Sequence, residues 1–135
     1  MTLDLDFFFL PLLMAWNVRS MNKGKLEVVK QEMARVNVDI LGISELKWTG
    51  MGEFNSHNHY IYYCGQESLR RNGVAIMVNK RVRNAVFGCN LKNDRMISVH
   101  FQGKPFNITV NQSMHQLLML KNLRLNDSVK TYKTF

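Results

Sequence analysis

The chain has 135 residues, of which 46% are hydrophobic and 21% charged. That is one domain's length with enough apolar content for a core, which excludes a disordered chain and a separate cofactor domain alongside a catalytic one. Lys and Arg total 18 against ten Asp and Glu, and the net charge of +8 favours a polyanionic partner.

The charge is uneven: residues 1–65 carry −1, residues 66–110 carry +6 and residues 111–135 carry +3. The excess begins at Arg70-Arg71. At the start of the chain, the apolar run from Phe7 to Ala15 follows Asp4 and Asp6 rather than a basic segment. It is also far shorter than the roughly 20 residues a helix needs to cross a bilayer. The expectation is an intracellular protein, nuclear or cytoplasmic, with no membrane partner.

Ala15 to Arg19 has strand character, and Ser20 to Gly24 is a turn-rich break. Leu26, Val29, Met33 and Val36 recur at helical spacing, so a helix is expected over 25–37. Val38 to Ser44 is a nearly continuous apolar run, as in a strand covered on both faces. Strand, helix and strand within about 30 residues predict a right-handed βαβ unit with parallel strands. Lys47 to His59, rich in Gly and Asn, reads as a loop. Strands are expected over 60–64, 74–78, 85–89, 96–101 and 105–110, with Gln102-Gly103-Lys104 as a hairpin turn. Beyond Val110, Leu117, Leu118, Leu120, Leu123 and Leu125 suggest an amphipathic C-terminal helix. The two cysteines, Cys64 and Cys89, lie in apolar runs outside any C-x-x-C, which points to reduced thiols.

Three motifs stand in order: Trp16-Asn17-Val18-Arg19-Ser20, then Val38-Asp39-Ile40-Leu41-Gly42-Ile43-Ser44-Glu45, then Arg71-Asn72-Gly73-Val74-Ala75-Ile76. Together they resemble the endonuclease/exonuclease/phosphatase superfamily. The nearest resemblance is to the apurinic-type endonuclease domains of LINE-like retrotransposons, including the mammalian craniofacial development protein 2-like group. The resemblance covers residues 15–110, the N-terminal part of such a domain, and leaves 1–14 and 111–135 outside it. It implies part of a four-layer α/β-sandwich, here truncated: the opening βαβ unit, then mostly antiparallel strands. It further implies Mg²⁺-dependent hydrolysis of DNA phosphodiesters, with Asn17 as the active-site Asn and Glu45 as the metal-binding Glu. Arg70, Arg71, Lys80, Arg81 and Arg83 are candidate phosphate contacts, or equally a solvated charged edge. The βαβ unit alone puts Asn17 and Glu45 at one sheet edge.

Other residues carry less. His57 and His59 have metal-ligand spacing but no third ligand, so a surface loop is expected. Trp16 reads as core. Asp94 and Asp127 match no family context. The family's Y-A-P strand, G-D-x-N motif and late Asp and His have no counterpart here, which implies an inactive chain. Read one codon frame over, the family's Q-V-Y-A-P and A-E-E-A-E become close to Gln112 to Gln116 and Leu120 to Arg124, so the tail resembles a frameshifted copy. A chain stopping after one sheet is expected to lack a partner layer and to be marginally stable. The alternatives are a basic nucleic-acid-binding module without catalysis and a translated relic. An RNA-recognition motif lacks its stacking aromatics.

Overall fold

A computed structural model describes residues 5–6, 11–22, 24–68, 72–104, 106–122 and 129–133. The strands are β1 (Leu5–Asp6), β2 (Leu13–Asn17), β3 (Ile40–Ser44), β4 (Met51–Ser56), β5 (His59–Cys64) and β6 (Val74–Asn79). They continue as β7 (Val86–Asn93), β8 (Met96–Phe101), β9 (Gly103–Lys104), β10 (Asn107–Ser113), β11 (Leu117–Asn122) and β12 (Val129–Lys133). Two helices interrupt them, α1 (Lys25–Arg35) and α2 (Lys80–Arg83). No helix among the described residues is long and apolar enough to cross a membrane.

The expected βαβ unit is present. β2 and β3 run parallel, with Leu13 opposite Ile40 and Asn17 opposite Ser44. β6, β5 and β4 then add antiparallel, for a sheet order β2-β3-β6-β5-β4. Successive strand residues point to opposite faces, and the apolar runs of β3 and β6 supply both. Leu41, Ile43, Ala75 and Met77 pack with Val29 and Met33 of α1. Ile40, Val74, Ile76 and Val78 face the other way, into the second sheet.

That second sheet corrects the expectation of a missing partner layer. Its order is β12-β11-β10-β8-β7, antiparallel throughout. Ile97, Val99, Phe101, Ile108, Val110 and Leu117 close the space between the sheets, each 0% exposed. Burying one such side chain stabilises by about 1.5–3 kcal/mol. Among the described residues the layers are three: α1, first sheet, second sheet. This mixed α/β sandwich agrees with part of a four-layer one.

The C-terminal helix is also corrected. Residues 117–122 form β11, paired along its length with β10. Leu117 and Met119 are buried while Leu118 and Leu120 are not, a two-residue period that the Leu-rich spacing concealed. Leu123 and Leu125 lie outside the described residues. The 110/111 boundary falls inside β10. Residues 51–56, expected as loop, are edge strand β4. Gly52, Asn55 and Ser56 have weak strand preference, and pairing with the strongly strand-forming β5 overrides it. Trp16, expected in the core, is 38% exposed, because β2 is an edge strand.

Candidate functional site

Asn17 and Glu45 follow parallel strands to the same end of the first sheet. Asn17 Nδ2 donates to Glu45 Oε1 at 3.1 Å. Asn17 Oδ1 accepts from the backbone N–H of Arg19 at 3.0 Å, a local turn that fixes the amide. The backbone around the pair is strained. Arg19, Glu45, Lys47 and Asn72 have φ of 57°, 53°, 59° and 51°. Left-handed non-glycine residues persist where their surroundings hold them, and such strain clusters at functional sites. Here the holding bonds are Val18 N–H to Ser44 O, Met21 N–H to Leu46 O, Leu46 N–H to Gly73 O and Lys47 N–H to Asn72 O.

A further carboxylate, unrecognised in the sequence, reaches this end from the second sheet. Asp94 sits in the β7–β8 turn, and its backbone carbonyl accepts from Gly73 N–H at 3.1 Å. Its Oδ2 accepts from Gln66 at 3.1 Å and Asn72 at 3.3 Å. The only sequence signal was the turn grouping Asn93-Asp94 between two strands. Asp127 lies outside the described residues.

Mg²⁺ prefers octahedral oxygen coordination. Glu45 offers one carboxylate, and one of its oxygens already accepts from Asn17. No group of three His, Cys, Asp or Glu among the described residues could hold a metal. These residues do not make a Mg²⁺ site by themselves, and no metal-dependent step follows from them.

The basic candidates are elsewhere. Lys80, Arg81 and Arg83 form α2, which follows β6 and so lies at the opposite end of the sheet from Glu45. A five-residue strand separates the two ends, on the order of 15 Å. Arg81 is neutralised by Asp39, with Nη2 at 2.6 Å and Nε at 3.0 Å from the same oxygen. Arg83 stacks its guanidinium over the Tyr60 ring, 4.1 Å from the centroid. Arg70 and Arg71 lie outside the described residues.

His59, expected in a surface loop with His57, is 5% exposed and opens β5. Burial pushes its pKa down, and Lys30 adds to this. Burial alone pushes His100 down, where Nδ1 lies 2.8 Å from Thr109 Oγ1. A histidine depressed in the fold binds its proton more readily once unfolded. Its contribution is complete above about pH 6.5 and is lost as pH falls toward the folded-state value. Thermal unfolding midpoints should therefore fall between pH 7 and pH 5, and less steeply in His100→Gln. An unchanged slope in that variant would remove His100 as a source. Cys64 and Cys89 are free thiols, both pushed up chiefly by burial, so neither is an activated nucleophile.

What the fold defines is thus a two-sheet α/β sandwich whose first βαβ unit brings an Asn and a Glu together. Comparison with known proteins adds a likeness. The chain is 84% identical over 97 residues to craniofacial development protein 2 of Bos taurus, covering 72% of this chain and 16% of that protein. It is 81% identical over 97 residues to craniofacial development protein 2 of Tragulus javanicus, covering 72% of this chain and 17% of that protein. The chain spans about a sixth of the length of these curated relatives. No protein-family model matches it.

Proposed function

We propose that this chain carries the opening part of an endonuclease-type domain of retrotransposon descent, and that its own residues do not hydrolyse phosphodiesters. One observation supports this most directly. Asn17 and Glu45 are 28 residues apart and hydrogen-bonded at 3.1 Å, yet no metal-holding group forms around them among the described residues. The pair matches the positions that the resemblance assigns to the active-site Asn and the metal-binding Glu. A general base must lie within hydrogen-bond reach of the proton it takes. Asp94, a further carboxylate at this end, already accepts from two amides.

The chain should leave supercoiled plasmid intact in Mg²⁺, with wild type and Glu45→Ala indistinguishable. Nicking by wild type alone would overturn the reading. A second reading, DNA or RNA binding without cleavage, draws on the net charge of +8. In the same experiment it appears as a mobility shift that weakens with salt while the plasmid stays supercoiled.

A further inference from the structure

The end of the first sheet away from Glu45 holds a second polar site. The β4–β5 turn and α2 border an open cavity of about 390 Å³. That lies within the range of small-ligand sites, about 300–1,000 Å³. Asn55, His57, His59, Tyr60, Lys80 and Arg83 line it, and no carboxylate among the described residues does. The charge is also uncompensated. Among the described residues the ion pairs are Lys30–Glu27, Arg35–Glu32 and Arg81–Asp39, so Arg81 of α2 is neutralised while Lys80 and Arg83 are not.

Buried polar atoms nearly always find a partner. Among the described residues four buried side-chain atoms lack one: Nδ1 and Nε2 of His59, Nε of Arg83 and Oε1 of Gln112. Three of the four belong to residues lining this cavity, and all three are nitrogens. A neutral His59 ring offers one N–H donor and one acceptor nitrogen, and Arg83 Nε–H is a donor, so two of the three call for an oxygen acceptor. Arg83 has one face against Tyr60, and its buried Nε–H is the guanidinium donor left without a partner. Glu53, the nearby carboxylate, accepts from the Tyr60 hydroxyl at 2.8 Å and from the Cys89 thiol at 3.6 Å.

We propose that this cavity binds a phosphate group through Lys80, Arg83 and His59. The phosphate comes from either of two sources of the same chemistry, a terminal phosphomonoester or a nucleic-acid backbone phosphodiester. The site is independent of the Asn17–Glu45 pair and stands whether or not that pair is a nuclease remnant.

The test is an NMR titration of the full chain with inorganic phosphate, followed through the ring protons of His57 and His59. Saturable shifts at both are expected. Lys80 is exposed, so Lys80→Ala should keep the fold and weaken binding at least about tenfold, the loss expected for one charge-assisted contact. Arg35→Ala, which removes a charge on α1, should change nothing. Absence of saturable shifts, or equal affinity in Lys80→Ala, overturns the proposal. Competition by 5′-phosphorylated and 5′-hydroxyl tetranucleotides separates the sources. Preference for the phosphorylated form assigns the monoester, equal competition assigns the backbone, and competition by neither overturns the site.

Discussion

Leu117→Asp should abolish cooperative unfolding at neutral pH. Leu117 is 0% exposed and lies in the core cluster between the sheets, with Ile76, Phe101 and Val110. Removing a buried leucine side chain costs about 2–5 kcal/mol. Placing a carboxylate there, fully buried among apolar side chains, adds a desolvation penalty of several kcal/mol. Domains of this size have about 5–15 kcal/mol of net stability, so the sum removes most of it. The loss should be pH-dependent. Burial raises the pKa of the introduced carboxyl above its unfolded value, so the penalty is smallest below about pH 4 and grows as pH rises through the folded value. Leu118→Asp, one residue on and only partly buried, is the control and should unfold cooperatively. Circular dichroism melts of both variants decide the matter. If Leu117→Asp melts like wild type, β11 does not close the sandwich.

β11 is the segment least legible in the sequence. Leu117 to Leu120 satisfies a helical spacing and a strand alternation equally well. Only the neighbouring strand β10, whose Asn107 to Gln112 pair with Asn122 to Leu117, selects the strand. If the tail is a shifted reading frame, its leucines still supply what an edge-adjacent strand needs, alternating apolar side chains. The opening unit was legible because Val38 to Ser44 is too short and too uniformly apolar for anything but a covered strand, and α1 shows its buried stripe at Val29 and Met33. β4 was not, since Phe54 alone declares it. That side chain is held by Trp48 and Tyr63, at centroid distances of 5.9 Å each, a tertiary contact no local pattern reports. At the candidate site, Asn17 and Glu45 were legible through their motifs. Asp94 was not, because a turn residue acquires its place only when the second sheet brings that turn beside Gly73.

Gly65→Ala should be the most damaging single-methyl change near the Glu45 end. A Cβ at Gly65 would lie under 3.0 Å from both the carbonyl oxygen and the carbonyl carbon of Trp48. Backbone atoms cannot swing away as a side chain would, so the clash must displace a chain segment. Gly65 N–H donates to Gly50 O at 2.7 Å, and Gly50 N–H donates to Gln66 O at 2.8 Å. The two segments are thus tied where the methyl would enter. Trp48 in turn donates from Nε1 to Met21 O at 2.6 Å and packs edge-on against Tyr63 at 5.2 Å. Overpacking costs about 1–3 kcal/mol where side chains can adjust, and a backbone clash belongs at or above the upper end. Trp48 is three residues beyond Glu45, so the displacement should reach the Asn17–Glu45 hydrogen bond as well as the melting midpoint. Gly24→Ala provides the contrast: nothing lies within 4 Å of a Cβ there, and it precedes α1 with φ of −87°. A tryptophan fluorescence melt should show a drop of several degrees for Gly65→Ala and almost none for Gly24→Ala. Equal midpoints would mean that the Trp48 segment yields freely, and that the strained backbone around Glu45 is not held from this side.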